Sequence, residues 1–163
     1  MKRLLPYDER PYRDCVGCAL FNAKGLVFAG KRLDDAAGHW QMPQGGIDPG
    51  ETPLVAALRE LKEETGTDRA EVLSDLGRWL QYDLPPEIAD RVWRGRFRGQ
   101  RQRWFALRFT GQDRDIDLTT HHPEFAAWQW MALADLPGTA IGFKRGLYVE
   151  IAQAFAPYAK PAR

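Results

Sequence analysis

Apolar residues run from Cys15 to Leu20 and again from Leu26 to Phe28, and the polar "NAKG" between them has turn chemistry, which predicts a strand, turn and strand in a hairpin. "KRLDDAAGHW" reads as a polar loop leading to an aromatic. "QMPQGGIDPGETP", with its three glycines, three prolines and acidic end, reads as a structured loop of the kind that carries function. Leu54, Ala57, Leu58 and Leu61 then recur at helical spacing, predicting a helix over 53–65. Thr52 is suited to cap it, Pro53 to open it and Gly66 to end it. "RWLQYDLPPEI" predicts a strand broken by a proline pair, "RQRWFALRF" a strand of alternating character, and "FAAWQWMAL" a strand buried around its tryptophans. Leu147, Ile151 and Phe155 predict a final helix from about Phe143, packed on the sheet. Mixed strands with two main helices favour an α/β or α+β layered domain.

No repeat or linker divides the chain, and 163 residues at 44% hydrophobic and 28% charged suit a single globular domain over 1–163. The formal net charge of +1 argues against a protein that coats nucleic acid or membrane by bulk charge, so neither a DNA duplex nor a membrane is an expected partner. "MKRLLPYDER" carries two basic residues, Lys2 and Arg3, among its first three but no apolar run of leader length, and no stretch approaches ~20 apolar residues, so a cytoplasmic location is expected. Cys15 and Cys18, three apart on a strand, point to opposite faces and are expected to be buried, reduced thiols. His39, His121 and His122 lack zinc-finger spacing and receive no role.

Glu60, Glu63 and Glu64 share one face of the predicted helix, turned away from the apolar stripe and hence from the core. Glu60 and Glu64 are a like-charge i, i+4 pair, and no basic residue stands four places beyond any of the three. A solvated helix face is the ordinary reading of such a stripe. A divalent cation would instead turn the repulsion into attraction, and clustered carboxylates without histidine or thiol suit a hard ion such as magnesium or manganese. Such ions bind phosphates and activate water, so the residues point to hydrolysis of a phosphorylated substrate.

Gly45, Glu51 and "RELKEETGT" together resemble the Nudix hydrolase signature, with Thr67 where an aliphatic is usual. The resemblance implies an α/β/α sandwich with a mixed sheet, in which 45–67 form the loop-helix-loop catalytic motif. It implies that Glu60, Glu63 and Glu64, with the Gly45 carbonyl, bind two or three magnesium ions in the presence of substrate, manganese being a possible substitute. Arg59 and Glu51 would support them, Arg59 by orienting a carboxylate. The general base varies within the superfamily, and Glu60 and Glu124 are both candidates here.

Outside the signature, "WQMPQGGIDPGE", "YDLP", "GQRQRWF", "HHPEFAAWQW" and "FKRGLY" resemble the branch containing bacterial RNA pyrophosphohydrolases and asymmetric dinucleoside tetraphosphate hydrolases, over about Tyr12 to Phe155. Within that branch Glu124 matches a further metal-binding glutamate, and Arg13 and Arg32 match basic residues that contact the RNA end. Ile141, Phe143 and Lys144 match the pocket for the second nucleotide, which Tyr82 also lines; an aromatic stacks on any base, and a lysine donates to a purine carbonyl. Between Arg91 and Arg108 stand seven arginines and no acid, interleaved with Trp93, Phe97, Trp104 and Phe105. That stretch is either a solvated basic loop or a funnel for an RNA end or polyphosphate, with Arg101 and Arg103 nearest the site; family members often have lysine at the Arg103 position. The resemblance implies a monomeric enzyme that removes pyrophosphate from 5′-triphosphorylated RNA to leave a 5′-monophosphate. The alternatives are cleavage of diadenosine tetraphosphate to ATP and AMP, hydrolysis of free nucleoside triphosphates, and a noncatalytic RNA-binding module.

Overall fold

The computed structural model describes residues 3–163, so Lys2 of the N-terminal pair of basic residues lies outside it. Its strands are β1 (Tyr12–Phe21), β2 (Val27–Arg32), β3 (Trp40–Gln41), β4 (Gln44–Gly46), β5 (Ala70–Asp75), β6 (Leu80–Asp83), β7 (Gly99–Phe109) and β8 (Phe125–Met131). The helices are α1 (Pro53–Thr65), the short α2 (Pro86–Ala89) and α3 (Leu136–Thr139), and α4 (Arg145–Phe155). The strands form one mixed sheet in the order β3-β2-β1-β7-β5, with β4 also on β1, β6 on β7 and β8 on β2.

β1 and β7 are the spine of the sheet. They run parallel in unbroken register from Tyr12 opposite Gly99 to Phe21 opposite Arg108. A strand covered on both faces reads as a continuous apolar run, which is why Cys15 to Phe21 show no polar alternation. Val16, Cys18 and Leu20 point with Phe105 and Leu107 to one face, where Ala56, Ala57 and Leu61 of α1 cover them. Ala19 and Phe21 point with Trp104 and Ala106 to the other, beneath Leu147, Tyr148, Ile151 and Phe155 of α4. The α/β/α layering implied by the signature is therefore present. Both cysteines are free and buried, and strand alternation gives only Cys18 to the α1 side, where its thiol donates to the Ala57 carbonyl at 3.3 Å.

α1 begins and ends where its residues predict. The Thr52 hydroxyl accepts from the Val55 N–H at 3.3 Å, and Gly66 closes the helix at φ 78°. That left-handed geometry favours glycine, and a Cβ there would press on the Asp117 carbonyl at 2.6 Å.

Several expectations need correction. The short strand β3 ends at the first residue of the glycine-proline loop, and the loop itself contains β4, paired with Cys15, Val16 and Gly17. β5 was not foreseen, because only Ala70 of its residues lies against the core clusters' α1 side and Val72 is exposed, which leaves little periodicity to read. Among the described residues β8 pairs only with β2, and its tryptophans are half-buried over Phe28 rather than enclosed; the Phe28 and Trp128 rings stack 5.6 Å apart. The last helix starts at Arg145, preceded by a 3-10 turn over Gly142–Lys144. No helix of the described residues is long and apolar enough to cross a membrane.

Leu61 is fully buried between α1 and the sheet. Leu61→Ala should cost about 2–5 kcal/mol and lower the urea midpoint by about 1 M or more. An unchanged midpoint would mean that α1 does not depend on this face for its anchorage.

Candidate active site

The loop-helix-loop is organised by one guanidinium. Arg59, on α1, grips Glu51 with two hydrogen bonds, Nε to Oε2 at 2.7 Å and Nη2 to Oε1 at 2.8 Å. Nη2 also donates to the Gly46 carbonyl at 2.8 Å, and Nη1 to Glu60 at 2.9 Å and Glu63 at 3.3 Å. The repulsion expected along the carboxylate stripe is thus partly relieved by a basic residue that precedes it. Glu51 also accepts from the Asp48 N–H at 2.8 Å, and with Arg59 as the main cause its acidity is driven from the ordinary 4.5 to about 2.

The stripe does not face solvent as its position opposite the apolar residues suggested. Glu63 is half exposed, Glu60 is largely covered and Glu64 is buried at 5% exposure. α1 lies against β4 through this side, and the Gln44 N–H donates to Glu64 Oε2 at 3.2 Å. Burial first, and then the charges of Glu60 and Glu124, push the Glu64 carboxyl well above its usual range. Burial likewise raises Glu60, against the opposing pull of Arg59. A Cβ on Gly45 would collide with the Glu60 carboxylate in its present position, so any larger residue there would have to displace that carboxylate.

These groups open on a cleft of about 590 Å³. Gly45, Glu60, Glu63, Glu64 and Glu124 line one part of it; Arg13, Arg32 and Lys144 supply its cations; Tyr82, Ile141 and Phe143 supply apolar surface. The Tyr82 and Phe143 rings stack 5.8 Å apart, and the Lys144 ammonium stands 5.9 Å from the Tyr82 ring. Lys144 is 5% exposed, not a solvated helix start, and burial, reinforced by Arg32, lowers its ammonium to about 8. Arg32 is held by Asp34 through two bonds of 2.8 Å.

Arg59 stands behind the carboxylates and is not among the residues that line the cleft. One predicted substrate contact lies elsewhere. Arg103 pairs with Asp75 at 3.1 Å and covers Trp79, and Arg101 pairs with Asp14 over the same ring. Strand alternation is the reason: on β7 the α4 side of the sheet belongs to Gln100, Gln102 and Trp104, and the arginines point to the other.

The same alternation reveals residues that sequence reasoning missed. Buried Gln102 donates to Gln100 at 2.7 Å and to Gln44 at 3.2 Å and accepts from the Trp104 indole at 2.8 Å, forming a polar floor under the cleft. Their signal was polar residues at the positions that share Trp104's face. Trp93 also lines the cleft, with Arg13 5.0 Å over its ring. Trp93 and Arg94 have φ of 46° and 58°, left-handed conformations that cost roughly 1–2 kcal/mol each in a residue with a Cβ.

Among the described residues no group of three or more acidic, histidine or cysteine side chains is arranged to hold a metal ion. The donor set nevertheless fits a hard divalent ion: it is carboxylate and carbonyl oxygen, Glu64 is buried beside two other negative charges, and magnesium keeps several waters as ligands. His39, on the same wall, is tied to Asp35 at 2.8 Å.

A mixed sheet between two helices carries a carboxylate-rich loop-helix-loop at the head of a cleft. The chain belongs to the Nudix family: residues 11–150 match the model of the NUDIX domain. Nudix hydrolases generally use divalent metal ions. The chain is 49% identical to a protein of Rhodopseudomonas palustris (strain BisB18) named RNA pyrophosphohydrolase, over 96% of this chain and 94% of that one. It is 53% identical to a protein of the same name from Rhodospirillum rubrum, over 93% and 91%. Among solved structures, a C. elegans Ap4A hydrolase binary complex superposes with a TM-score of 0.65 at 20% identity, covering 89% of this chain and 98% of that one, which is a likeness of fold.

Glu64→Gln removes a buried charge that Glu60 and Glu124 oppose. In the absence of metal it should leave the melting temperature equal or higher, and with metal it should abolish turnover. A lower melting temperature, or retained turnover, would count against Glu64 as a metal-facing carboxylate. Glu51 gives the opposite pH signature. Its folded pKa lies below the ordinary value, so its stabilisation is complete above pH 4.5 and is lost as pH falls towards about 2. Urea midpoints across that window should fall less steeply in Glu51→Gln than in the wild type; equal slopes would show that the grip of Arg59 does not persist in solution.

Proposed function

We propose that the protein is an RNA pyrophosphohydrolase that converts the 5′-triphosphate end of RNA to a 5′-monophosphate, in the cytoplasm and as a monomer, as a step in mRNA decay. The observation that carries this reading is a cleft in which metal-suited carboxylates and basic side chains adjoin a stacked Tyr82–Phe143 pocket. A polyphosphate and the base that follows it can be held there together. The high identity to relatives named RNA pyrophosphohydrolase, over nearly the full length of both chains, supports the same reading.

Glu60, Glu63, Glu64, Glu124 and the Gly45 carbonyl would hold magnesium, or manganese in its place. When bound, such ions neutralise charge on the phosphoryl oxygens and lower the pKa of water. Water attacks a phosphorus of the triphosphate, a P–O–P bond breaks, and the bonding pair leaves with the bridging oxygen of pyrophosphate. Glu60 or Glu124 takes the proton of the attacking water, while Arg59 keeps Glu60 oriented. Arg13 binds the phosphate chain. Phe143 stacks on the second base, Ile141 borders it, Lys144 donates to its edge, and Arg32 covers its other face once released from Asp34.

The test presents 5′-triphosphorylated RNA and diadenosine tetraphosphate at matched concentrations with magnesium, to the wild type and to Phe143→Ala. Preference for RNA is expected, with a loss of about tenfold or more in the RNA specificity constant in the variant, since base stacking is worth ~1–3 kcal/mol. Preference for the dinucleotide would make the protein a dinucleoside polyphosphate hydrolase. Absence of magnesium-dependent turnover on either would leave an RNA-binding module.

A further inference from the structure

The two arginines of the cleft are held in different ways. Arg32 is clasped by the Asp34 carboxylate, which orients it but also neutralises it. Arg13 forms no ion pair among the described residues. Its guanidinium lies against Gly46 and 5.0 Å from the Trp93 ring, and it makes a long bond of 3.7 Å to the buried Cys15 thiol. An indole face attracts a cation through its quadrupole and takes up none of its N–H donors. Arg13 is therefore fixed in place with its charge and its hydrogen-bonding edge still available. It lies beside Gly46, at the start of the catalytic loop, and its charge reaches Glu60.

The backbone is bent to bring this ring into place. Trp93, Arg94 and Gly95 are three successive residues with positive φ, and Trp93 is half-buried, packing on the core cluster beneath α4 while its ring meets Arg13. Neighbours over-determine the turn: Gly95 donates to the Val92 carbonyl at 2.9 Å, and Asp90, just before it, pairs with the buried Arg10 at 2.6 Å. Strained residues held in this way cluster where geometry is needed for function.

We propose that Trp93 is a positioning residue, which aims Arg13 at the phosphate chain of the substrate without discharging it. The inference rests on the reading above that Arg13 meets phosphate. It assigns to the left-handed turn at Trp93 a role in binding polyphosphate.

The test is a double-mutant cycle on the dissociation constant of a GTP analogue with methylene-bridged phosphates, measured by calorimetry with magnesium. Trp93→Phe keeps a π-face, Trp93→Leu keeps apolar bulk without one, and Trp93→Gly suits the positive φ. Leu and Gly should each weaken binding roughly three- to thirtyfold, the range of a cation–π contact, with Phe close to the wild type. In an Arg13→Ala background all three should have no further effect. Equal binding by the Leu and Phe variants, additive losses with Arg13→Ala, or a wild type that does not bind the analogue would each overturn the proposal. Turnover of triphosphorylated RNA by the wild type is read separately, so failure of the proposed function is distinguishable from failure of this inference.

Discussion

The site depends on the way Arg59 distributes its donors. Glu51 from the loop before α1, the Gly46 carbonyl from the glycine-rich loop, and Glu60 and Glu63 from the helix all converge on one planar cation. It ties together three segments that the pairing of β4 with β1 and the packing of α1 on the sheet already bring near one another, and it offsets the carboxylates that two of them carry. A rigid fork suits this task better than a lysine point charge, because the two bonds to Glu51 set the plane in which the remaining donors meet Gly46 and Glu60. Arg59 lies behind the cleft, and its work is to make a carboxylate-rich surface stable enough to be presented.

That surface lies at the edge of a sheet whose two central strands are parallel. Because β1 and β7 are buried on both faces, α1 and α4 are separate layers, and the cleft forms where the carboxylates from the α1 layer meet the aromatic and basic groups that precede α4. One group from each layer is buried with its charge poorly compensated, Glu64 from the first and Lys144 from the second. Burial pushes them in the directions that disfavour ionisation, which are also the directions that a metal ion and a polyphosphate would reverse. The molecule thus holds unfavourable electrostatics where a highly charged ligand belongs, and the polar floor of Gln100 and Gln102 supplies the hydrogen bonds that a fully apolar base to the cleft would lack.

Much of this was legible in the sequence because it is local. Thr52, Pro53 and Gly66 mark the bounds of α1 through interactions within a few residues, and the apolar run of β1 announces a strand buried on both sides. The relation of Gly45, Glu51, Arg59, Glu60, Glu63 and Glu64 is also a matter of spacing along one loop and one helix, so the Nudix signature shows in the chain itself. Glu124, Phe143 and Lys144 were reached through motif resemblance, and they line the same cleft.

What the tertiary structure alone decided is which side of each element meets what. Helical periodicity put the glutamates opposite the apolar stripe, yet β4 packs across that side and buries Glu64, a contact between segments that no period encodes. The arginine-rich stretch read as either a solvated basic loop or a funnel; pleating turned Arg101 and Arg103 towards Asp14, Asp75 and Trp79 and gave the cleft face to glutamines. Arg13 and Arg32 are indistinguishable as letters; an indole eighty residues away along the chain holds one, and an aspartate two residues away holds the other. The sequence by itself determined the elements, their caps and the chemistry on offer, because those depend on neighbours in the chain. Burial, pairing and the direction of each charge depend on neighbours in space, and only the folded sheet supplied them.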